Sequence, residues 1–225
     1  MFPSNEDLQK SVLNAIKWQP MLHAAEIGVT ARDGVVTLSG VVDAYSKKIE
    51  AENAAKSVPG VKAVAEEIEV KFFDSMYIKN DTEIAGEVMN AWKWNWEIPH
   101  NKVKVTVENG WVTLEGEVEW NYEKEAAKKS VEKLIGVKGV SNHIILLCES
   151  KSDVDKTAVE DALALNWSLK NKNIEVNVSQ NKVTLSGTVE SIYQKEEAGR
   201  IAWATPGIWS LDNELIVQYE YDYAY

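Results

Sequence analysis

Hydrophobic residues follow one order of spacings that occurs three times along the chain. A helical spacing comes first, as in Val12, Ala15 and Ile16, which fall on one face of a helix. Two alternating stretches follow, the second with Val36 and Leu38 on one side, and they predict two strands joined by a tight turn. A second helical pattern and a last alternating stretch complete the unit. The pattern therefore predicts the element order αββαβ.

One short segment marks each unit. The sequence VTLSG at Val36–Gly40 recurs as VTLEG at Val112–Gly116 and as VTLSG at Val183–Gly187. Sequence similarity at a fixed period indicates a repeated structural unit. We therefore predict an α+β protein of three tandem αββαβ domains, each a three-stranded mixed sheet with two helices on one face. The predicted domains are residues 1–75, 76–150 and 151–225.

Turn residues support the hairpin in each unit. Asp33-Gly34 and Asn109-Gly110 are pairs that accept positive φ angles, and in the third unit we expect Asn181 to take the left-handed position. A glycine also ends the second strand of every unit. We expect it to face the helices, where a side chain would push the second helix away. These glycines are Gly40, Gly116 and Gly187.

Three features together resemble the BON domain. They are the hairpin DGVVTLSGVV at 33–42, an alanine-rich second helix that carries a basic residue, and the GVKAV segment at 60–64 before the last strand. Such domains typify bacterial hyperosmotically inducible periplasmic proteins and other envelope proteins. The resemblance implies the αββαβ fold, no enzymatic activity, and a role in osmotic or envelope stress with binding to phospholipid membranes. The chain departs from the pattern in carrying three copies where two are usual.

Net charge narrows the classes of partner. The 24 Lys and Arg residues against 35 Asp and Glu give −11, which argues against a nucleic-acid-binding face and weakens attraction to an anionic leaflet. No apolar run approaches the ~20 residues of a transmembrane helix. Residues 1–7 lack the pattern of a signal peptide, so the sequence at face value predicts a cytoplasmic protein. A native leader that is missing from this sequence would make it periplasmic.

Residues with catalytic or metal-binding chemistry are few and scattered. His23, His100 and His143 do not align between the copies, and Cys148 has no second cysteine to pair with. There is no glycine-rich phosphate loop and no serine nucleophile motif. We therefore predict no catalytic residue, no metal, no cofactor and no enzymatic activity.

The chain has nine tryptophans, and comparison of the copies separates seven of them into two classes. A tryptophan whose counterparts are apolar is predicted to be core, and this class is Trp18, Trp92 and Trp94. A tryptophan whose counterparts are polar or small is not needed by the shared fold, so it is predicted to be exposed or covered from outside its own domain. From this class we select Trp203, Trp209 and Trp120 as a candidate surface for contact with a partner or a lipid interface.

The last strand of the middle copy has an unusual pattern. Its sequence IILL at 144–147 is apolar on both faces, whereas the first copy places Glu67 and Glu69 outward. Because a strand that is apolar on both sides is usually buried on both, the outer face of this sheet should be covered. We therefore predict that Trp111, Ile145 and Leu147 contact another domain or a second chain.

Three hypotheses for the function remain open at this stage. The leading one is a non-enzymatic BON-type protein that binds a phospholipid surface or a protein partner. The second is a structural protein whose aromatic surfaces serve domain packing or homo-oligomerisation. The third is a cytoplasmic module that responds to a small ligand or an ion. For Trp203 and Trp209 the alternative to a binding surface is packing within the third copy or against the segment Tyr219–Tyr225.

Overall fold

A computed structural model describes residues 4–22, 27–72, 79–147, 154–170 and 173–218. His23, Cys148 and the segment Tyr219–Tyr225 lie outside these ranges. The first repeat contains α1 (Asn5–Lys17), β1 (Ile27–Arg32), β2 (Val35–Val42), α2 (Tyr45–Lys56) and β3 (Ala63–Val70). The second contains α3 (Asp81–Lys93), β4 (Val103–Glu108), β5 (Trp111–Val118), α4 (Asn121–Glu132) and β6 (Gly139–Leu146). The third contains α5 (Lys156–Leu165), β7 (Ile174–Ser179), β8 (Lys182–Val189), α6 (Ile192–Trp203), β9 (Ser210–Asn213) and β10 (Ile216–Val217).

The first helix of each repeat begins at a polar cap. The side chain of Ser4 accepts the N–H of Asp7, and that of Asp155 accepts the N–H of Thr157. Asn80 and Glu83 form a reciprocal capping box at the start of α3. Each cap satisfies backbone N–H groups that the helix cannot pair internally, so the sequence places these three helix starts locally.

Each repeat builds one sheet around its hairpin. The second strand is central, as in the order β4-β5-β6, and β5 pairs antiparallel with β4 and parallel with β6. In the third repeat the last strand is divided into β9 and β10, which both pair parallel with β8. The predicted fold of three mixed sheets, each with two helices, is confirmed.

The core of each repeat is formed by the inward positions of the strands and the helices. Val36 and Leu38 of β2 are fully buried, as are the equivalent residues of β5 and β8. Burying aliphatic side chains contributes about 1.5–3 kcal/mol each, so these two positions together contribute about 3–6 kcal/mol to each repeat. The shared VTL segment is therefore a core segment.

The hairpin turns follow the predicted pattern in two repeats. Asp33 and Gly34 both have positive φ, as do Asn109 and Gly110. In the third repeat the left-handed residue is Gln180, with φ of 56°, and not Asn181 as we predicted. Asn181 instead donates its side-chain amide to the carbonyl of Gly207 at 2.7 Å.

The glycine that ends each second strand is required for a reason that differs from our prediction. Gly116 has φ of 140°, a left-handed angle that L side chains rarely adopt. A Cβ atom at Gly116 would collide with the backbone of Lys102 and Val103, where the neighbouring strand begins, and not with the second helix. Gly187 has the same relation to Asn173.

The chain divides into two compact units. One unit comprises Met1–Gly40, Glu50–Ile68 and Ser150–Tyr225, and the other comprises Val41–Ile49 and Glu69–Glu149. Within the first unit, Lys56 of α2 forms ion pairs with Glu52 at 2.9 Å and with Glu196 of α6 at 2.7 Å. The N–H of Gly60 also donates to the carbonyl of Glu190 at 3.2 Å. The first and third repeats are thus joined by both a side-chain and a backbone contact.

Candidate interaction surfaces

A short turn after the first helix exposes tryptophan in the second and third repeats. In the second repeat, the Oδ1 atom of Asn95 accepts the N–H of Glu97 at 3.0 Å, and Trp96 between them is 88% exposed. In the third, Asn166 accepts the N–H of Ser168 at 2.9 Å, and Trp167 is 85% exposed. Because an asparagine turn of this kind fixes the local backbone, each ring is held outward by structure.

The residue that closes each turn anchors it to the core. Ile98 and Leu169 are buried, and their N–H groups donate to the carbonyls of Asn95 and Asn166. The first repeat has the same backbone turn, from the N–H of Leu22 to the carbonyl of Gln19 at 3.0 Å, and it exposes Met21. We call these turns, with the residue before each, the tips of the repeats: residues 18–22, 94–98 and 165–169.

The tips also contain a correction to the predicted core. Trp18 and Trp94 are 84% and 85% exposed, and Leu165 at the equivalent position is as exposed as they are. Trp18 and Trp94 cap the ends of α1 and α3, two positions beyond Ile16 and Trp92, the last residues of these helices that face the core. Only Trp92 of the predicted core class is buried, and its Nε1 atom donates to the hydroxyl of Ser130 at 3.0 Å.

Two exposed aromatic rings stack at the start of α4. Trp120 precedes α4, and its ring stacks on Tyr122 with centroids 6.5 Å apart. Both rings are exposed. Burial, followed by the negative charges of Glu123, Glu97 and Glu119, raises the pKa of the Tyr122 hydroxyl. Glu97 belongs to the tip, so part of the negative charge that acts on Tyr122 comes from the tip.

Trp203 and Trp209 lie at the other end of the third repeat. Trp203 is the last residue of α6 and is half-buried, whereas Trp209 is exposed. The N–H of Trp209 donates to the carbonyl of Asn181 in the hairpin turn at 2.9 Å. The two residues therefore flank the short connection from α6 to β9. Their use as a binding surface stays a prediction.

The three residues predicted to contact a partner on the outer face of the middle sheet do not lie together. Trp111, Ile145 and Leu147 are 52%, 55% and 43% exposed in the single chain. Trp111 stands opposite Gly139, and its Nε1 atom donates to Ser141 at 2.9 Å. Ile145 stands opposite Glu117, six positions further along the strand, which is about 20 Å. Trp111 is therefore remote from Ile145 and Leu147, and the predicted cover by a partner stays a prediction.

Ile145 and Leu147 line an open groove of about 670 Å³ on that face. The same groove is lined by Lys102, Lys104, Glu115 and Glu117, and His143 is exposed there on β6. Lys102 forms an ion pair with Glu119 at 2.7 Å. The groove thus combines apolar surface with charges of both signs.

Metal-binding clusters and membrane-spanning helices are both absent from the parts of the chain that the structure describes. Within those ranges there is no group of three or more His, Cys, Asp or Glu side chains placed to hold a metal ion. No helix there is both long enough and apolar enough to cross a membrane.

Comparison between copies did not identify Trp96 and Trp167. They align with each other, while the first copy has Pro20 at that position. The signal that could have identified them is local: each lies in the pattern Asn-Trp-x-Ile or Asn-Trp-x-Leu, directly after a helix ends. Asparagine at such a place favours a turn, and the residue after it points outward.

A family model for the BON domain matches residues 4–71, 80–147 and 153–219. The chain therefore belongs to the BON-domain family, and it carries three copies of the domain.

Osmotically-inducible protein Y of Escherichia coli strain K12 is a relative, with 29% identity over 126 residues. The match covers 55% of this chain and 63% of that protein, so less than two thirds of the relative is spanned. Two structures of CdsD, a structural protein of the type III secretion system of Chlamydia trachomatis, align with 94% and 95% of the chain and with 92% and 98% of their own chains. Their identities are 16% and 13% and their TM-scores 0.24 and 0.25, values too low to carry an argument.

Proposed function

We propose that the protein is a non-enzymatic binding protein of osmotic or envelope stress that attaches to phospholipid membrane surfaces through its tips. The observation that carries the proposal is the repeated exposure of large apolar side chains at one structural position. Trp18, Trp94 and Leu165 begin the tips of the three repeats, and each is almost fully exposed. Exposed apolar surface that recurs at one site favours an interaction role over chance.

Tryptophan suits a membrane interface because its ring is apolar while its N–H can remain hydrated. Covering one ring of about 150–200 Å² contributes about 4 kcal/mol at about 25 cal/mol/Å², before the costs of association. Lys17 and Lys93 stand next to Trp18 and Trp94 and are exposed. Against a net charge of −11, two lysines give modest attraction to phosphates, so ring insertion carries the binding.

The proposed role in osmotic or envelope stress is supported by the relatives of this chain. The E. coli relative is named for its osmotic inducibility, and the family resemblance extends over all three repeats. We extend that role to this chain as part of the proposal, together with a cell-envelope location. Fractionation of the native host, with detection of the protein in periplasm and cytoplasm, tests the location.

Co-sedimentation with phosphatidylcholine vesicles tests the membrane contact. The variant with Trp18, Trp94, Trp96 and Trp167 each replaced by Ser should lose most of the bound fraction, because it removes the four exposed tryptophan rings of the tips and no buried ring. The matched control is Trp203→Lys, Trp209→Lys, which changes the opposite end of the third repeat to residue types found in sister copies. Loss of binding in the control alone would show that the membrane contact lies at Trp203 and Trp209 and not at the tips. Equal binding by all three proteins would contradict a tryptophan contact at either place.

A second candidate function, self-association, is favoured by the outer face of the middle sheet. Ile145 and Leu147 are exposed there beside charges of both signs, and a second copy of the chain presents the same complementary pattern. This contact is compatible with the membrane contact, because the tip of the second repeat lies outside the residues that line the groove.

A further inference from the structure

An open groove lies in the third repeat between α5 and β7. Its volume is about 330 Å³, which is at the small end of ligand-binding sites, whose volumes are about 300–1,000 Å³. Four buried or half-buried apolar side chains form much of its wall: Leu163, Leu169, Ile174 and Val176. Glu160 and Lys170 are its charged positions. The groove therefore has the size and the lining of a site for one apolar chain with a polar end.

Comparison with the second repeat shows where the third repeat is more open. Ala164 lines the groove and aligns with Lys93, whose longer side chain has an aliphatic stem of the kind that covers apolar surface. Alanine has no such stem. Ile174, the first residue of β7, is half-buried, whereas its counterpart Val103 at the start of β4 is buried. The apolar start of the first strand is therefore less covered in the third repeat than in the second.

The charges at the groove favour an anionic group beside it. Glu160 forms an ion pair with Lys156 at 3.4 Å, so its charge is partly compensated within α5. Lys170 is exposed and directly follows the tip. The second repeat has Pro99 at the position of Lys170, so it lacks a positive charge there. An apolar chain attached to an anionic group therefore complements this groove.

The groove adjoins the tip of the third repeat. Leu169 closes the turn of the tip and also forms part of the groove wall. Trp167, two residues earlier, is almost fully exposed. An apolar surface that enters a membrane interface reaches the boundary between head groups and acyl chains, about 5–10 Å deep. A tip at that boundary brings the groove to acyl chains and to phosphates at once.

We propose that the groove takes one acyl chain of a membrane phospholipid, whose phosphate contacts Lys170. The chain packs on Leu163, Leu169 and Ile174, while the head group stays outside. The inference rests on the proposed function, which brings the tip to the membrane. It gives the third repeat a contact with a single lipid chain, in addition to the contact made by exposed rings.

Single-chain phosphocholines test the groove without a membrane. Hexanoyl, octanoyl and decanoyl lysophosphatidylcholine are titrated as monomers into the full chain, and calorimetry measures Kd. Affinity should rise by up to about fourfold for each CH2 group that enters the groove, and should level off when the groove is full. Glycerophosphocholine, which has no acyl chain, should give no measurable binding. Equal affinity at all chain lengths, or no binding of any of them, would overturn the proposal.

Two tryptophan substitutions block the groove from its two walls. Ala164→Trp on α5 and Ile174→Trp on β7 should each weaken octanoyl binding about tenfold, as the loss of nearly two buried CH2 groups would. The matched control is Leu165→Trp, which adds the same ring at an exposed neighbouring position outside the groove lining. Circular dichroism and thermal unfolding establish that each variant folds. Ala164 is exposed, so its variant decides the matter even where Ile174→Trp does not fold. Wild-type affinity in a folded Ala164→Trp variant would overturn the site.

Charge reversal tests the phosphate contact separately. Lys170→Glu should weaken every chain length by the same factor, about two- to fivefold, because an exposed ion pair contributes little. The dependence on chain length should remain. Unchanged affinity in this variant would overturn the contact between Lys170 and the phosphate.

Phosphatidylcholine vesicles separate this inference from the proposed function. Binding of lysophosphatidylcholine that depends on chain length, without any vesicle binding, would reject the proposed function and leave the acyl site standing. Vesicle binding without binding of the single-chain lipids would reject the acyl site alone. If both hold, Ala164→Trp should weaken vesicle binding and Leu165→Trp should not.

Discussion

Trp96 and Trp167 occupy the same position of the same turn in two repeats, and both side chains point into solvent. The asparagine before each ring makes the turn, and the aliphatic residue two positions after the ring anchors it. Such a turn fixes the backbone that carries the ring, so a contact made by the ring would cost little backbone conformational entropy.

Truncating Trp92 and Trp96, two tryptophans of the second repeat, should change the free energy of unfolding by very different amounts. Trp92→Ala removes a fully buried ring and its hydrogen bond to Ser130, so we expect a loss of about 3–5 kcal/mol in the free energy of unfolding. Trp96→Ala removes an exposed ring, and the change should stay within about 0.5 kcal/mol. Urea unfolding followed by circular dichroism measures both. A large loss for Trp96→Ala would mean that this ring packs in the fold and is not free for a partner.

Replacing two glycines of the second repeat by alanine should change the stability in opposite directions. Gly116→Ala should destabilise the domain by about 1–3 kcal/mol, because φ is 140° and the new methyl group meets the backbone of Lys102. Gly86 lies within α3, and nothing stands near its missing side chain. Gly86→Ala should therefore stabilise the helix by about 0.5–1 kcal/mol. Thermal unfolding of both variants distinguishes backbone strain from helix propensity; equal effects would refute the explanation given for Gly116.

The ion pair between Lys56 and Glu196 should couple the first and third repeats. A double-mutant cycle with Lys56→Met and Glu196→Gln should give a coupling of about 0.5–1 kcal/mol, reduced at high salt, because Glu196 is half exposed. A coupling of zero at low salt would contradict a contact between the two repeats in solution.

The ion pair of Lys56 and Glu196 should also make the stability of the protein depend on pH. Burial of Lys56 opposes its charge, but hydrogen bonds to Glu196 and Glu52 outweigh that effect and raise its pKa above the ordinary value of 10.5. A raised lysine pKa gives stability that is fully present below 10.5 and is lost as the pH rises through the raised value. Wild type should therefore lose its advantage over Lys56→Met only in strongly alkaline buffer. An advantage that disappears near neutral pH would contradict this assignment.

Self-association through the middle sheet has its own test. Ile145→Glu borrows Glu69 from the first repeat, where that outer position is already acidic. If a second copy covers this face, size-exclusion chromatography with light scattering should report a dimer for wild type and a monomer for the variant. A monomeric wild type would reject the predicted cover of Ile145 and Leu147 by a second chain.

Periodicity and turn chemistry predicted the repeats, the hairpins and the core positions, because those depend on local backbone preferences and on which residues avoid water. Comparison of the three copies predicts less well which apolar residues lie on the surface. The apolar counterparts of Trp18 and Trp94 predict a core position, yet all three copies expose it. A shared apolar residue is consistent with a shared core or with a shared contact, and only the position of the helix end distinguishes the two. The role of Gly116 depended on the path of a neighbouring strand, which the pattern of its own strand does not contain.

Quenching of tryptophan fluorescence by brominated phosphatidylcholine vesicles tests the membrane proposal most directly, because bromine quenches only rings that enter the lipid. Wild type and the variant Trp203→Lys, Trp209→Lys should be quenched on vesicle addition. The variant with Trp18, Trp94, Trp96 and Trp167 each replaced by Ser should lose the quenching while keeping its circular dichroism spectrum. Quenching that persists in this variant, or is absent from wild type, would contradict insertion of the tips.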